Sequence, residues 1–193
     1  MKKGSGIIIV LAILAVLVLW AVKSYNGLVS RDEAVSSAWS QVENMYQRRA
    51  DLIPNLVATV KGYAEHEQET FEAVVAARAK ATQVTVSDLS EESVQKFQQA
   101  QGEVSSALGR LLAVVENYPE LKANENFLDL QAQLEGTENR IAEARRSFNE
   151  AARNYNTQVR SFPANLIAGA FGFSTKGYFT ADESASQAPK VEF

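Results

Sequence analysis

Residues 4–22, GSGIIIVLAILAVLVLWAV, form the longest uncharged stretch of the chain, and no polar side chain interrupts it from Ile7 to Val22. At 1.5 Å of rise per residue a helix over these positions reaches about 28 Å, close to the thickness of a bilayer's hydrocarbon core. The segment reads as a single transmembrane helix. A cleaved secretory signal also opens on lysines, here Lys2 and Lys3, but its apolar core runs about 7–15 residues and ends at a small-x-small site. This run is longer, and it leaves through Leu19-Trp20-Ala21-Val22-Lys23. Trp20 and Tyr25 fall where amphipathic rings are favoured, at the far interface. Lysines before the span, with Asp32 and Glu33 soon after it, put the N terminus in the cytoplasm and the body outside, by a margin of about one charge.

All 23 Asp and Glu residues follow the span, against 19 Lys and Arg in the whole chain, for a net charge of −4. A uniform basic face for nucleic acid is therefore excluded. With no cysteine there is neither a disulfide framework nor thiol chemistry, and no acylation site for a lipoprotein. Proline occurs only at 54, 119, 163 and 189, which favours long helices.

Apolar residues recur in helical steps. Val35, Ala38, Trp39, Val42, Met45, Tyr46, Leu52, Ile53, Leu56, Val60 and Tyr63 form one stripe, and Phe71, Val74 and Val75 extend it toward Ala81. A second stripe runs from Val94 and Phe97 to Val115, and a third from Phe127 and Leu130 to Phe162. No region alternates with period two, so the fold class is all-α. Asp88 with Glu91 offers a capping pair for a helix start after the 82–90 break. Asn117-Tyr118-Pro119 ends that helix, and a last helix from near Asn124 to about Arg160 stops at Pro163.

Pro54 sits inside a stripe that continues on both sides, so it either kinks one helix or opens a second. A continuous helix over 25–82 would be about twice as long as the next one, over 90–117. A split at Pro54, capped by Asp51, gives comparable lengths and an up-down antiparallel bundle of four long helices behind the anchor. The expected organisation is an anchor over 1–24, the bundle over 25–162, and an apolar docking segment with a flexible tail over 163–193.

The same residues carry a family resemblance. Tyr25-Asn26-Gly27-Leu28-Val29, Arg48-Arg49-Ala50-Asp51-Leu52-Ile53-Pro54-Asn55-Leu56-Val57 and Lys61-Gly62-Tyr63-Ala64-Glu65-His66-Glu67 resemble the LemA family signature. So do Tyr118-Pro119-Glu120-Leu121-Lys122-Ala123-Asn124-Glu125-Asn126-Phe127, Leu134-Glu135-Gly136-Thr137-Glu138-Asn139-Arg140-Ile141, Phe162-Pro163-Ala164-Asn165-Leu166-Ile167-Ala168 and Phe171-Gly172-Phe173. The resemblance covers nearly all of 25–179. It implies a bacterial inner-membrane protein with one N-terminal span and four long helices, with no assigned reaction or cofactor, and a loose link to membrane-protein quality control beside membrane proteases.

Candidate chemistry is sparse. His66 is the sole histidine, with Glu65, Glu67, Glu69 and Glu72 nearby on one expected helix, but no HExxH pattern or second histidine accompanies it. Arg48 and Arg49 suit a carboxylate partner across the bundle, or Asp51, and with Asp51 and Pro54 they read as a structural motif. Glu138, Asn139 and Arg140, with Asn154 and Asn156, read as polar contacts that set helix register. Ala168-Gly169-Ala170-Phe171-Gly172 lacks the spacing and lysine of a phosphate cradle. No catalytic, cofactor-binding or metal-binding residue is assigned.

The C-terminal segment is the expected interaction surface, carried by Leu166, Ile167, Phe171, Phe173, Tyr178 and Phe179. It either caps its own bundle or docks on a neighbour, and from Asp182 onward the chain reads as a flexible tail. The leading functional expectation is a non-enzymatic membrane-anchored scaffold that forms a homo-oligomer, with small residues around Trp39 (Ala34, Ser36, Ser37, Ala38 and Ser40) allowing close helix approach. An adaptor or regulator of a membrane protease is the alternative, and a metal-dependent hydrolase using the carboxylate-rich second helix ranks last.

Trp39 sits mid-stripe, so Trp39→Ala is expected to lower unfolding stability by about 3–5 kcal/mol, read from denaturant melts of the detergent-solubilised chain. An unchanged midpoint removes Trp39 from the core.

Overall fold

A computed structural model describes residues 3–181 and contains helices joined by turns and extended segments, with no strand among the described residues. Lys2, the terminal amine and the tail from Asp182 lie outside them. Helix α1 spans Lys3–Lys61, α2 Gln68–Gln83, α3 Glu91–Val115, α4 Pro119–Lys122, α5 Glu125–Arg160 and α6 Ala164–Phe171.

The expected split at Pro54 does not occur. Helix α1 is continuous for 59 residues, about 88 Å, with Pro54 in its interior. Proline removes the donor that the Ala50 carbonyl would receive one turn back, and its ring crowds that carbonyl. Arg78 on α2 supplies the missing donor, its Nε–H donating to the Ala50 oxygen at 2.7 Å. Ile53 and Leu56, on either side of the proline, are each 1 % exposed, so packing holds both halves of the helix in line. Asp51 is no cap; it accepts from Gln47 Nε2 at 2.8 Å one turn earlier on the exposed face. The real break follows Lys61, where the N–H groups of Tyr63 and Ala64 both donate to the Val60 carbonyl at 3.0 Å. His66 sits exposed in this turn and not on a helix with Glu69 and Glu72, because α2 begins only at Gln68.

The start of α3 is set by a different cap from the one its spacing suggests. Ser90, not Asp88, caps α3 by accepting from the Ser93 N–H at 3.4 Å. Asp88 instead braces the loop, accepting from the Ser90 N–H at 3.0 Å and the Ser93 hydroxyl at 2.9 Å; the Ser90 side chain first, then its N–H and the Ser93 hydroxyl, hold the carboxyl below the usual carboxylate range. Helix α3 ends at Val115, and Pro119 opens the single turn of α4. Asn124 caps α5 as its position implied, accepting from the Phe127 N–H at 3.0 Å.

Helices α1, α2, α3 and α5 form the bundle. Helix α5 runs antiparallel to α1, with Asn124 reaching Tyr63 at 2.9 Å, Glu138 pairing with Arg49 at 2.9 Å and Asn154 meeting Arg31 at 3.5 Å. Helix α3 packs beside α2, where Lys80 meets Glu103 at 2.7 Å. The core has two apolar clusters. The one nearer the span gathers Leu28, Val35, Trp39, Val42, Phe97 and Phe148; the distal one gathers Ile53, Leu56, Val60, Phe71, Leu111 and Leu134. Trp39 is 6 % exposed and meets Phe97 and Phe148 edge-on at 5.1 and 5.3 Å.

Between the clusters lies Arg49, 2 % exposed. Its Nη1 donates to Ser105 Oγ at 2.8 Å and Glu138 Oε1 at 2.9 Å; its Nη2 donates to the Gln101 carbonyl at 3.0 Å and Gln101 Oε1 at 2.7 Å. Arg48, its sequence neighbour, points to solvent.

Removing the Arg78 side chain strands a half-buried carbonyl, so Arg78→Ala is expected to cost about 1–3 kcal/mol. In a Pro54→Ala background, where residue 54 regains its N–H, the same change should cost clearly less. Equal costs in both backgrounds, read from chemical unfolding, disconnect Arg78 from the proline.

Candidate functional site

Helix α2 is short, and the chain beyond α5 supplies part of the bundle in its place. Residues 173–180 run back along α5 as an extended strap. Two asparagines of α5, seven residues and so two turns apart, hold it through their side-chain amides. Asn156 accepts from the Lys176 N–H at 2.8 Å and donates to the Lys176 carbonyl at 2.8 Å. Asn149 repeats the pattern at Phe179, accepting at 2.9 Å and donating at 2.8 Å. Two helical turns advance about 11 Å and three extended residues about 10 Å, so the periods of helix and strap coincide. Asn156 thus sets the strap and not the register between long helices. Asn149 was not singled out by the sequence reading; its spacing from Asn156 along one edge of the buried stripe was the available signal.

Further contacts seat the strap. Phe179 is 5 % exposed, stacks on Trp39 at 5.9 Å and meets Phe148 edge-on at 5.5 Å. Lys176 Nζ lies 2.8 Å from Asp32 Oδ1 and 5.3 Å from the Tyr155 ring centre. Burial and the Asp32 carboxylate together push the Tyr155 phenol up to about 12. At the start of α3, the Gly177 N–H donates to the Leu89 carbonyl at 2.8 Å. A Cβ at Gly177 would stand 2.6 Å from the Glu91 Cα and 2.9 Å from the Ser90 oxygen, so only glycine fits there.

The six residues expected to form the interaction segment therefore divide. Phe179 is core, and Ile167 and Phe173 pack half-buried against the near cluster. Tyr178 is 38 % exposed and accepts from Asn156 Nδ2 at 2.9 Å. Leu166, on the outer side of α6, and Phe171, at its end, stay 60 % and 63 % exposed, near Phe162 at 81 %. Tyr25 of α1 contacts this element, its ring 4.9 Å from that of Phe171 and 5.7 Å from that of Phe173. Gly172, at φ 76°, takes the left-handed turn that ends α6 and releases the strap.

Of the polar candidates, Arg49 and Glu138 meet across the bundle, whereas Arg48 lines a shallow surface with Asp129, Gln133 and Arg140. A recess of about 150 Å³ opens beside Arg49, between Glu43, Arg78 and Gln101, but the guanidinium groups there are engaged by protein acceptors. Among the described residues no three His, Asp or Glu side chains converge as a metal-binding group.

Gly177→Ala is expected to lift the strap from the start of α3, lowering the unfolding temperature and exposing residues 173–181 to limited proteolysis. Ser174→Ala, on the exposed side, should change neither. Normal protection of the Gly177 variant overturns the close fit.

The LemA family model matches residues 38–193 of the chain. Magnetosome protein MamQ 1 of Paramagnetospirillum magneticum is 28% identical, over 92% of this chain and 74% of its own. Magnetosome protein MamQ of Magnetospirillum gryphiswaldense gives the same identity and coverage, and Protein LemA of Metamycoplasma hominis is 23% identical over 82% of this chain and 69% of its own. With its four-helix body and a model match over most of its length, the chain belongs to the LemA family.

Proposed function

We propose that this chain is a single-pass, membrane-anchored scaffold that works by contact with other protein surfaces, including further copies of itself, and not by bond-making chemistry. One observation carries the reading. The large apolar side chains of α1 from Ile7 to Leu19 are all more than half exposed, and the same helix continues without a break into the bundle core at Leu28. A helix apolar on every face suits lipid and not water, and its continuity favours retention over cleavage. The bundle is then held stiffly on its anchor, with no linker between them. We assign the protein to the bacterial inner membrane with its N terminus cytoplasmic, supported by Lys2 and Lys3 ahead of the span.

Self-association is supported by the outer face of α1, where Ala34, Ser36, Ser37 and Ser40 are exposed and the groove toward α5 is lined by Ser147, Glu150, Ala151 and Asn154. Side chains this small let another helix approach closely, and anchoring several copies in one membrane raises their effective concentration. The names of the relatives, a magnetosome protein and LemA, carry no reaction.

Light scattering on the detergent-solubilised full chain is expected to give a protein mass that is a multiple of 21.1 kDa. Ser37→Arg should lower that multiple while leaving the unfolding temperature unchanged. A monomer at every concentration overturns self-assembly, and stoichiometric co-purification of a membrane protease replaces it with the adaptor reading.

A further inference from the structure

Helix α6 is apolar on both sides. Its sequence, ANLIAGAF, carries no charge, and Asn165 is its only polar side chain. One side, with Ile167 and Ala168, packs on the near cluster. The opposite side presents Leu166, with Phe162 just before the helix, and Phe171, one turn after Ile167, lies at the helix end against Tyr25; all three are well over half exposed. Helices α3 and α5 differ, because their outward sides are charged and polar, as water-facing surfaces are.

The register of α1 against α5 fixes where this apolar face lies. Arg31 meets Asn154, and a Cβ on Gly27 would stand 2.9 Å from the Gln158 amide, so each step back along α1 matches one step forward along α5. Continued to the end of α5, that register puts Phe162 level with Lys23, the first charge after the span. The aromatic contacts agree, since Tyr25 lies against Phe171 and Phe173. Leu19 and Val22, at the end of the span, are themselves 70 % and 52 % exposed. Their surface and the outer face of α6 are therefore neighbours at one level along the shaft, beside the exposed cations Lys23 and Arg160.

We propose that α6 is a second membrane contact: the face formed by Phe162 and Leu166, with the exposed edge of Phe171 at its end, lies in the headgroup region of the same bilayer that α1 crosses. This inference rests on the single-span reading. A lipid surface fits better than a second copy because the face continues the apolar surface of the span, and because it combines aromatic and aliphatic side chains with flanking cations, the composition of an interfacial helix. Lys23 and Arg160 can lay their stems on the apolar zone and hold their charges among lipid phosphates. A lone span leaves the bundle free to roll about the axis of α1. With α6 seated off that axis the roll stops, and one side of the bundle is held toward the membrane.

The absence of cysteine makes a single introduced thiol unique. The full chain is reconstituted in phosphatidylcholine–phosphatidylglycerol vesicles with an environment-sensitive fluorophore at one of four positions: Phe162→Cys, Leu166→Cys, Leu14→Cys in the span or Glu65→Cys in the distal turn. Lipids bearing a nitroxide near the headgroup should quench the labels at 162 and 166 several-fold more than the label at 65, while iodide in the water quenches them several-fold less. Water-like quenching at 166 and 162, with the label at 14 shielded from iodide, overturns the contact and leaves the span intact. Shielding at 166 from both quenchers that disappears on dilution with excess lipid also overturns it, assigning the face to a second copy. If iodide quenches the label at 14 as it does the label at 65, the span reading itself fails.

Discussion

The guanidinium of Arg49 is the contact on which the bundle's register depends. It sits almost fully buried on α1 and spends its bonds on Ser105 and Gln101 of α3 and on Glu138 of α5, while its planar face lies 5.0 Å from the centre of the Tyr46 ring. A cation removed from water is costly unless every donor finds an acceptor, and among the described residues Glu138, at 41 % exposure, is its one anionic partner. Sliding any of the three helices by a turn would leave that charge among Tyr46, Ile53 and Phe97 with its acceptors out of reach. Apolar stripes tolerate such slips, because leucine and valine pack against many neighbours. The arginine fork does not, which is the physical case for its setting register here.

A second arginine solves a different problem by similar means. Pro54 leaves the Ala50 carbonyl without its helical donor, and Arg78 supplies one from α2. The two arginines together stitch α1 to each of the other bundle helices, Arg49 toward α3 and α5, Arg78 toward α2. With its mid-helix defect satisfied, α1 runs unbroken from its apolar N-terminal part through the whole body, with no hinge between them.

The end of the body nearer the span is completed by the chain's last described residues. Helix α2 stops at Gln83, and the strap at 173–180 closes the near cluster over Trp39 and Phe148. Asn149 and Asn156 treat the strap's backbone as a neighbouring strand would, satisfying amides that would otherwise be buried unpaired. With Phe179 and Phe173 so engaged, Phe162, Leu166 and Phe171 stay more than half exposed near the level where the span ends.

Much of this was legible in the residues. The apolar run over 7–22, the helical stripes, the Asn124 start and the Pro163 stop of α5 all follow from spacing and local chemistry, because a helix is specified by neighbours three and four positions apart. Arg49 could also have been separated from Arg48, since it falls in the stripe between Tyr46 and Ile53 and its neighbour does not. What sequence alone could not decide were the continuity of α1 through Pro54, the shortness of α2 and the seat of residues 173–180. Each depends on a partner far along the chain: Arg78 for the Ala50 carbonyl, Asn149 and Asn156 for the strap, Glu91 against Gly177. Local chemistry fixes which segments coil and which face is apolar. Only tertiary structure decides whether a helix-breaking residue breaks anything, because that turns on whether another element supplies the hydrogen bond it removes.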